Sequence, residues 1–201
     1  MKSDENKSGQ WIETVSGVRI EFLDPKPSQI QIKDIAHALS NNCRFTGQCS
    51  KFYSVAEHSW HVARMLEGTP LEVQLGGLLH DASEAYLADI ATPVKRELPE
   101  YKVIEDNLMT AIAKRYNFEW PMHPAIKHAD LMALSNEAYH LLPSRGNDWD
   151  TWRQVKRPPI IDAYRPIGMV PDTARQVFMD KFFELSMAIR EKYNNESVGI
   201  S

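Results

Sequence analysis

Cysteine is nearly absent from this chain: Cys43 and Cys49 are the only two in 201 residues. Their spacing fits neither a disulfide framework nor the paired thiols of a zinc ribbon. The polar first ten residues contain no apolar signal segment, so the expectation is a reduced, cytoplasmic protein. Long apolar runs are also missing. None approaches the ~18 residues that a membrane span requires, and no membrane partner is expected. Excess positive charge is absent too, with a formal net charge of -4 and a pI near 6.0. A protein that neutralises many phosphates of a nucleic-acid polymer is therefore excluded, and any phosphate recognition must be local. Strand signals are confined to Trp11 to Phe22, which alternates around Ser16-Gly17 and predicts a small hairpin. Internal repeats and low-complexity tracts are not seen.

What remains is helical. The length suits one domain, since domains run from ~50 to ~250 residues. We expect an all-α bundle over residues 11–193, a flexible segment at 1–10 and a tail at 194–201. A first helical pattern opens at Asp34. Ser54-Val55-Ala56-Glu57 reads as a capping box at the start of a helix that runs to about Leu66 and carries His58 in its first turn. A second helix is expected from Leu71 to about Leu87, with Val73, Leu75, Leu78, Leu79 and Ala82 on its apolar side. His80, Asp81 and Glu84 are its polar exceptions. Helical spacing returns at Ile104, Leu108, Ile112 and Tyr116, and again from about Ala125 to Leu142, where Asp130 sits. Residues 143–171 have little periodicity and read as a long loop, and a last amphipathic helix starts at Pro171 and reaches about Tyr193.

His58, His80, Asp81 and Asp130 form a mixed nitrogen and oxygen donor set. It suits a divalent ion such as Mn, Fe, Co, Ni or Zn. With the cysteines outside it, the set does not resemble a closed structural zinc site. Glu84 lies four residues after His80 and three after Asp81, so its carboxylate shares their side of the helix one turn further on. There it can handle the proton of an attacking water. Asp89 could position the same water or the leaving group, while Lys95 and Arg44 could neutralise charge on a phosphate. Desolvation of a His-Asp pair inside an apolar helix needs compensation, and a shared cation supplies it. His61, three residues after His58, is read as a surface residue or a support behind the site rather than a substrate contact, and His37, His123, His128 and His140 lack partners at convincing spacing and are read as structural. Glu57 is explained by its cap. Trp149, Trp152, Arg153 and Arg157 read either as a lid or subunit contact or as an ordinary anchor.

The order His58…His80-Asp81…Asp130 resembles the defining motif of the HD-domain metal-dependent phosphohydrolases. The resemblance extends through Cys43-Arg44-Phe45-Thr46-Gly47, Tyr53-Ser54-Val55-Ala56-Glu57-His58-Ser59, Leu79-His80-Asp81-Ala82-Ser83-Glu84 and Asp89-Ile90-Ala91-Thr92-Pro93-Val94-Lys95, covering about residues 34 to 140. Within that superfamily the chain is similar to bacterial 5'-deoxynucleotidases and to phage dATP and dNTP triphosphohydrolases. The resemblance implies His58, His80, Asp81 and Asp130 as ligands, Glu84 and Asp89 as catalytic carboxylates, and Lys95 as a phosphate contact. It also implies that Arg44 and Phe45 lie beside the sugar, where they exclude a ribose 2'-hydroxyl. Phe45 stands where the nucleotidase has tryptophan, and Gln48 where many relatives have histidine. A homo-oligomer is implied by resemblance alone.

The expected activity is hydrolysis of deoxynucleoside 5'-phosphates. Counting Lys95, Arg96, Lys102 and Arg44 as available cations tips the expectation towards release of triphosphate from a dNTP such as dATP. Release of orthophosphate from a dNMP is the alternative. Cleavage of cyclic dinucleotides is disfavoured because Ala82-Ser83-Glu84 replaces the expected Gly-Tyr-Pro extension, and guanosine alarmones rank low as well. A non-catalytic, metal-dependent nucleotide sensor is a different class, which retention of Glu84 and Asp89 argues against.

Overall fold

The computed structural model describes residues 10–198 and is mostly helical, with one small antiparallel hairpin. The flexible amino end expected at 1–10 lies, apart from Gln10, outside the described residues. Strands β1 (Trp11–Glu13) and β2 (Arg19–Glu21) pair in the register Ile12 to Ile20. Gly17 takes a left-handed φ of +78° at the turn, which glycine adopts without a Cβ penalty. Ile20 is fully buried and anchors the hairpin on the helices.

The helices are α1 (Ile32–Asn41), α2 (Val55–Met65), α3 (Leu71–Leu78), α4 (Glu84–Leu87), α5 (Thr92–Lys95), α6 (Pro99–Tyr116), α7 (Pro124–Leu141), α8 (Thr151–Gln154) and α9 (Pro171–Val198). Helix α2 packs against α1, α3, α7 and α9. One apolar cluster joins Leu39 of α1, Val55 of α2, Leu78 of α3, Ile112 of α6 and Phe178 of α9. A second seals α2 to α7 through Val62, Leu66, Ile126, Ala129 and Ala133. The face of α2 between these seals carries His58, also fully buried.

Three expectations change. The helix read from Leu71 to Leu87 is two helices separated by a turn over 79–83. Gly76 and Gly77 weaken that stretch by about 1 kcal/mol each relative to alanine. The His80 ring then hydrogen-bonds the Gly77 carbonyl at 2.8 Å, a partner that competes with continuation of the helical ladder. The glycines allow close packing as well, because a Cβ on Gly77 would stand 2.3 Å from Leu66 Cδ1. Second, the 143–171 stretch is not wholly irregular; it contains α8 and a 3-10 turn at Asp162–Tyr164. Third, α9 continues past Tyr193 into the expected tail, to Val198.

The capping box is half right. Ser54 Oγ accepts from the Glu57 amide at 3.1 Å, but the Glu57 carboxylate turns away from the cap. It accepts instead from the backbone N–H groups of Ile167, Gly168 and Met169 at 2.6, 3.0 and 2.7 Å. Three otherwise unpaired amides of an irregular strap outbid the single amide of the cap. Lys51 clamps the same strap by donating to the carbonyls of Pro166 and Ile167 at 2.8 and 2.9 Å. Glu57→Ala should thus lower unfolding stability by about 3 kcal/mol, since each orphaned donor costs ~1 kcal/mol or more. Urea unfolding measures this, and a loss below ~0.5 kcal/mol, ordinary for a surface change, would mean that the strap is held otherwise.

Candidate metal centre

The turn after α3 resolves a geometric difficulty. Adjacent residues on a continuous helix point about 100° apart, but off the helix His80 and Asp81 turn to one place. His80 Nε2 lies 3.2 Å from Asp81 Oδ2. Helix α2 brings His58 Nε2 to 3.1 Å from His80 Nε2 and 3.5 Å from Asp81 Oδ2. From α7, Asp130 Oδ1 approaches His58 Nε2 at 3.5 Å and His80 Nε2 at 4.0 Å. Of the four residues expected as ligands, His58, His80 and Asp130 thus meet as one group, while Asp81 approaches the two histidines without joining it.

The donor chemistry fits a cation. Each imidazole spends its Nδ1 outward, His58 on Glu137 Oε1 at 2.5 Å and His80 on the Gly77 carbonyl at 2.8 Å. With Nδ1 donating, a neutral ring presents a lone pair at Nε2, and the two Nε2 atoms face each other here. Separations of 3.1 to 3.5 Å are those of donor atoms that each stand ~2.1 Å from one ion. Burial opposes a charge on His80, yet Asp81 and Asp130 raise its pKa to about 9. The pocket attracts positive charge. His58, His80 and Asp130 form a group that could hold a metal ion.

Glu137 was missed by the sequence reading. It lies seven residues, two helical turns, after Asp130 on α7, a polar position on the face that turns inward, and that periodicity was the available signal. Its carboxylate binds His58, accepts from Tyr53 Oη at 3.0 Å, and takes both Nε and Nη2 of Arg44 on Oε2 at 3.1 and 3.0 Å. Burial works against its charge, but Arg44, His58 and Tyr53 hold its pKa down at about 2. Arg44 Nη1 also lies 3.5 Å from Asp81 Oδ2. Arg44 therefore spans the carboxylate behind His58 and a carboxylate of the centre itself.

Arg44 leads the 3-10 turn Arg44–Gly47, in which Phe45 and Thr46 are both left-handed at φ 56° and 51°. Non-glycine residues in that region cost ~1–3 kcal/mol each. The turn persists because its flanks are tied down: Arg44 N–H donates to the Tyr53 carbonyl and Ser50 N–H to the Leu141 carbonyl, each at 2.9 Å. Phe45 faces a cavity of about 480 Å³ lined also by Arg44, Asp89, Arg96, Trp149 and Asp150. The Phe45 and Trp149 rings stand 6.2 Å apart on its wall. The loop residues thus divide. Trp149 lines the cavity, while Trp152 and Arg157 are anchors, bonded to the Gly146 carbonyl at 2.8 Å and the Arg145 carbonyl at 2.7 Å.

Glu84 opens α4, buried, with Oε1 accepting from Lys95 Nζ at 2.9 Å. Its Oε2 has no protein partner. Burial, then Asp81 and Asp89, push its pKa well above the usual carboxylate range. Lys95 also binds Glu105 Oε1 at 3.0 Å, so it is neutralised twice. His61 is not a surface residue: it is buried beside Trp60 and Tyr164, and burial lowers its pKa to about 4.

No protein-family profile matches the chain. It is 36% identical over 176 residues to the Escherichia coli K12 protein YfdR, spanning 88% of this chain and 96% of YfdR. The chain belongs to the YfdR family. A Rhodobacter capsulatus protein, RCAP_rcc00048, is 40% identical over 139 residues, 64% of this chain and 71% of that protein. Both relatives carry the name uncharacterized protein.

A carboxylate that orients a ligating imidazole is commonly worth 10–100-fold in metal affinity. Glu137→Gln is expected to weaken Mn²⁺ or Co²⁺ binding about 10–100-fold by titration calorimetry, with His58→Ala weaker still. Unchanged affinity in both would remove His58 from the centre.

Proposed function

We propose that the protein is a divalent-metal-dependent hydrolase of deoxynucleoside 5'-phosphates. The observation that carries this reading is the meeting of His58, His80 and Asp130, with Asp81 beside the histidines and two inward Nε2 atoms 3.1 Å apart, next to an acid, Glu84, that is buried with one oxygen unpartnered. The ion, when bound, supplies Lewis-acid polarisation of the phosphoryl group. The chain supplies the rest. Glu84, its proton affinity raised by burial and by Asp81 and Asp89, takes the proton of the attacking water, and Lys95 fixes the orientation of that carboxylate. Arg44 steadies charge developing on the phosphate. Asp89, on the cavity wall, orients the water or the leaving 5'-oxygen. The cavity beyond Phe45 accepts the nucleoside, with Phe45 and Arg44 crowding the position of a 2'-hydroxyl.

The number of phosphates turns on the cations. The triphosphate expectation counted Lys95, Arg96, Lys102 and Arg44 as available. Lys95 is paired with Glu84 and Glu105, and Arg44 with Glu137 and Asp81. Around the cavity, Arg44 and Arg96 face Asp89, Asp148 and Asp150. That balance favours orthophosphate release from a dNMP. Release of triphosphate from a dNTP is the second reading, and it requires Lys95 to leave one of its carboxylates. We further propose a cytoplasmic, homo-oligomeric protein; among the described residues no helix is long and apolar enough to cross a membrane.

The test incubates Mn²⁺- or Co²⁺-loaded protein with each dNMP, dNTP and matching ribonucleotide, reading products by chromatography. Orthophosphate from dNMPs is expected, with ribonucleotides cleaved more slowly. Glu84→Gln should lower turnover by about 10²–10⁴-fold while metal and nucleotide still bind. A sensor would show no turnover in the wild type and the same ligand response in the variant. Tripolyphosphate from dNTPs would select the second reading.

A further inference from the structure

The two cysteines take no part in the centre, yet the fold brings them together. Cys43 Sγ and Cys49 Sγ lie 3.9 Å apart, both as free thiols and both half-buried, so a small reagent can reach them. They bracket the turn that carries Arg44 and Phe45. Cys43 is tied to the body by its bridge to Ser54, and Ser50, next to Cys49, by its bond to the Leu141 carbonyl. Between these fixed ends Phe45 and Thr46 hold their left-handed backbone, and Gly47 has open space where a Cβ would be.

We propose that Cys43 and Cys49 form a reversible thiol–disulfide modification site whose closure locks the Arg44–Gly47 turn. The sulfurs must approach by roughly 1.9 Å to reach the ~2.05 Å of a disulfide. Rotation about the two side chains, with slack at Gly47, supplies that movement. The oxidant is a low-molecular-weight disulfide. One cysteine thiolate attacks it, forming a mixed disulfide and expelling one small thiolate. The other cysteine thiolate then attacks the protein-bound sulfur, the Cys43–Cys49 bond forms, and the second small thiolate leaves. The two protons lost by the cysteines end on the two released thiols, and the two electrons reduce the small disulfide. Burial and the adjacent Cys43 push the Cys49 thiol up to about 11, so closure is favoured in rate by mildly alkaline solution. That locking fixes Arg44 and Phe45 against a substrate rests on the function proposed above; formation of the bond does not.

The experiment treats the full-length protein with oxidised glutathione and follows intact mass, linked peptides and hydrogen–deuterium exchange, beside Cys43→Ser and Cys49→Ser. The wild type is expected to lose two hydrogens per chain, to yield a Cys43–Cys49 peptide, and to revert with dithiothreitol. Exchange across the turn should slow on the order of tenfold, as closing a short ring removes chain entropy. Each serine variant should instead keep one glutathione. Lasting glutathione adducts on the wild type, or cross-linked dimers in place of the internal bond, would overturn the proposal. None of these readouts involves nucleotide hydrolysis, so this proposal and the hydrolase reading fail separately.

Discussion

One buried carboxylate organises the molecule. Glu137, on α7, is bonded to His58 of α2, to Tyr53 and to Arg44, which ties α7 to the stretch 44–58, 79 to 93 residues earlier in the chain. A buried charge is tolerated only when it is paired and hydrogen-bonded, and here the pairing groups are those that build the centre. His58 is oriented with Nε2 inward because its Nδ1 is committed to Glu137. Arg44 is held between Glu137 and Asp81, so the strained turn behind it has a fixed starting point. The apolar seams on either side of α2 keep this network dry, where charge-assisted bonds are strongest.

The second determinant is a helix that stops early. Gly77 lets α3 press onto Leu66 and Gly76 lets it approach Ile126, and the His80 ring takes the Gly77 carbonyl. The chain then leaves helical geometry over 79–83, which turns neighbouring side chains towards one point and starts α4 at Glu84. A candidate ligand, His80, the carboxylate of Asp81 beside it and an acid with a raised proton affinity, Glu84, thus come from five consecutive residues. The same local event that ends the helix assembles half of the site.

Much of this was legible in the sequence, and the exceptions have physical causes. The apolar periodicities of α2, α6 and α7 and the alternation around Gly17 identify helices and hairpin, because burial of one face dictates both. The candidate group His58, His80 and Asp130 was legible because His80 and Asp81 interrupt an apolar helical pattern and, with His58 and Asp130, make a mixed donor set in the order of a known motif. The break after Leu78 was hidden, since the apolar pattern runs through it and only the Gly76-Gly77 pair hints at a stop. Glu57 shows how a local motif loses to a distant one. Its spacing from Ser54 suits a cap, but the amides of the strap arrive from more than a hundred residues away and cannot be read locally. Glu137, the availability of Lys95 and the proximity of the two cysteines are likewise matters of tertiary contact.

Anomalous diffraction from crystals grown with Mn²⁺ tests the central claim most directly. The account predicts one peak between α2, the 79–83 turn and α7, within ~2.0–2.3 Å of His58 Nε2, His80 Nε2 and carboxylate oxygens of Asp81 and Asp130. Crystals that hold the ion elsewhere, with the two histidine rings merely hydrogen-bonded to each other, would contradict it.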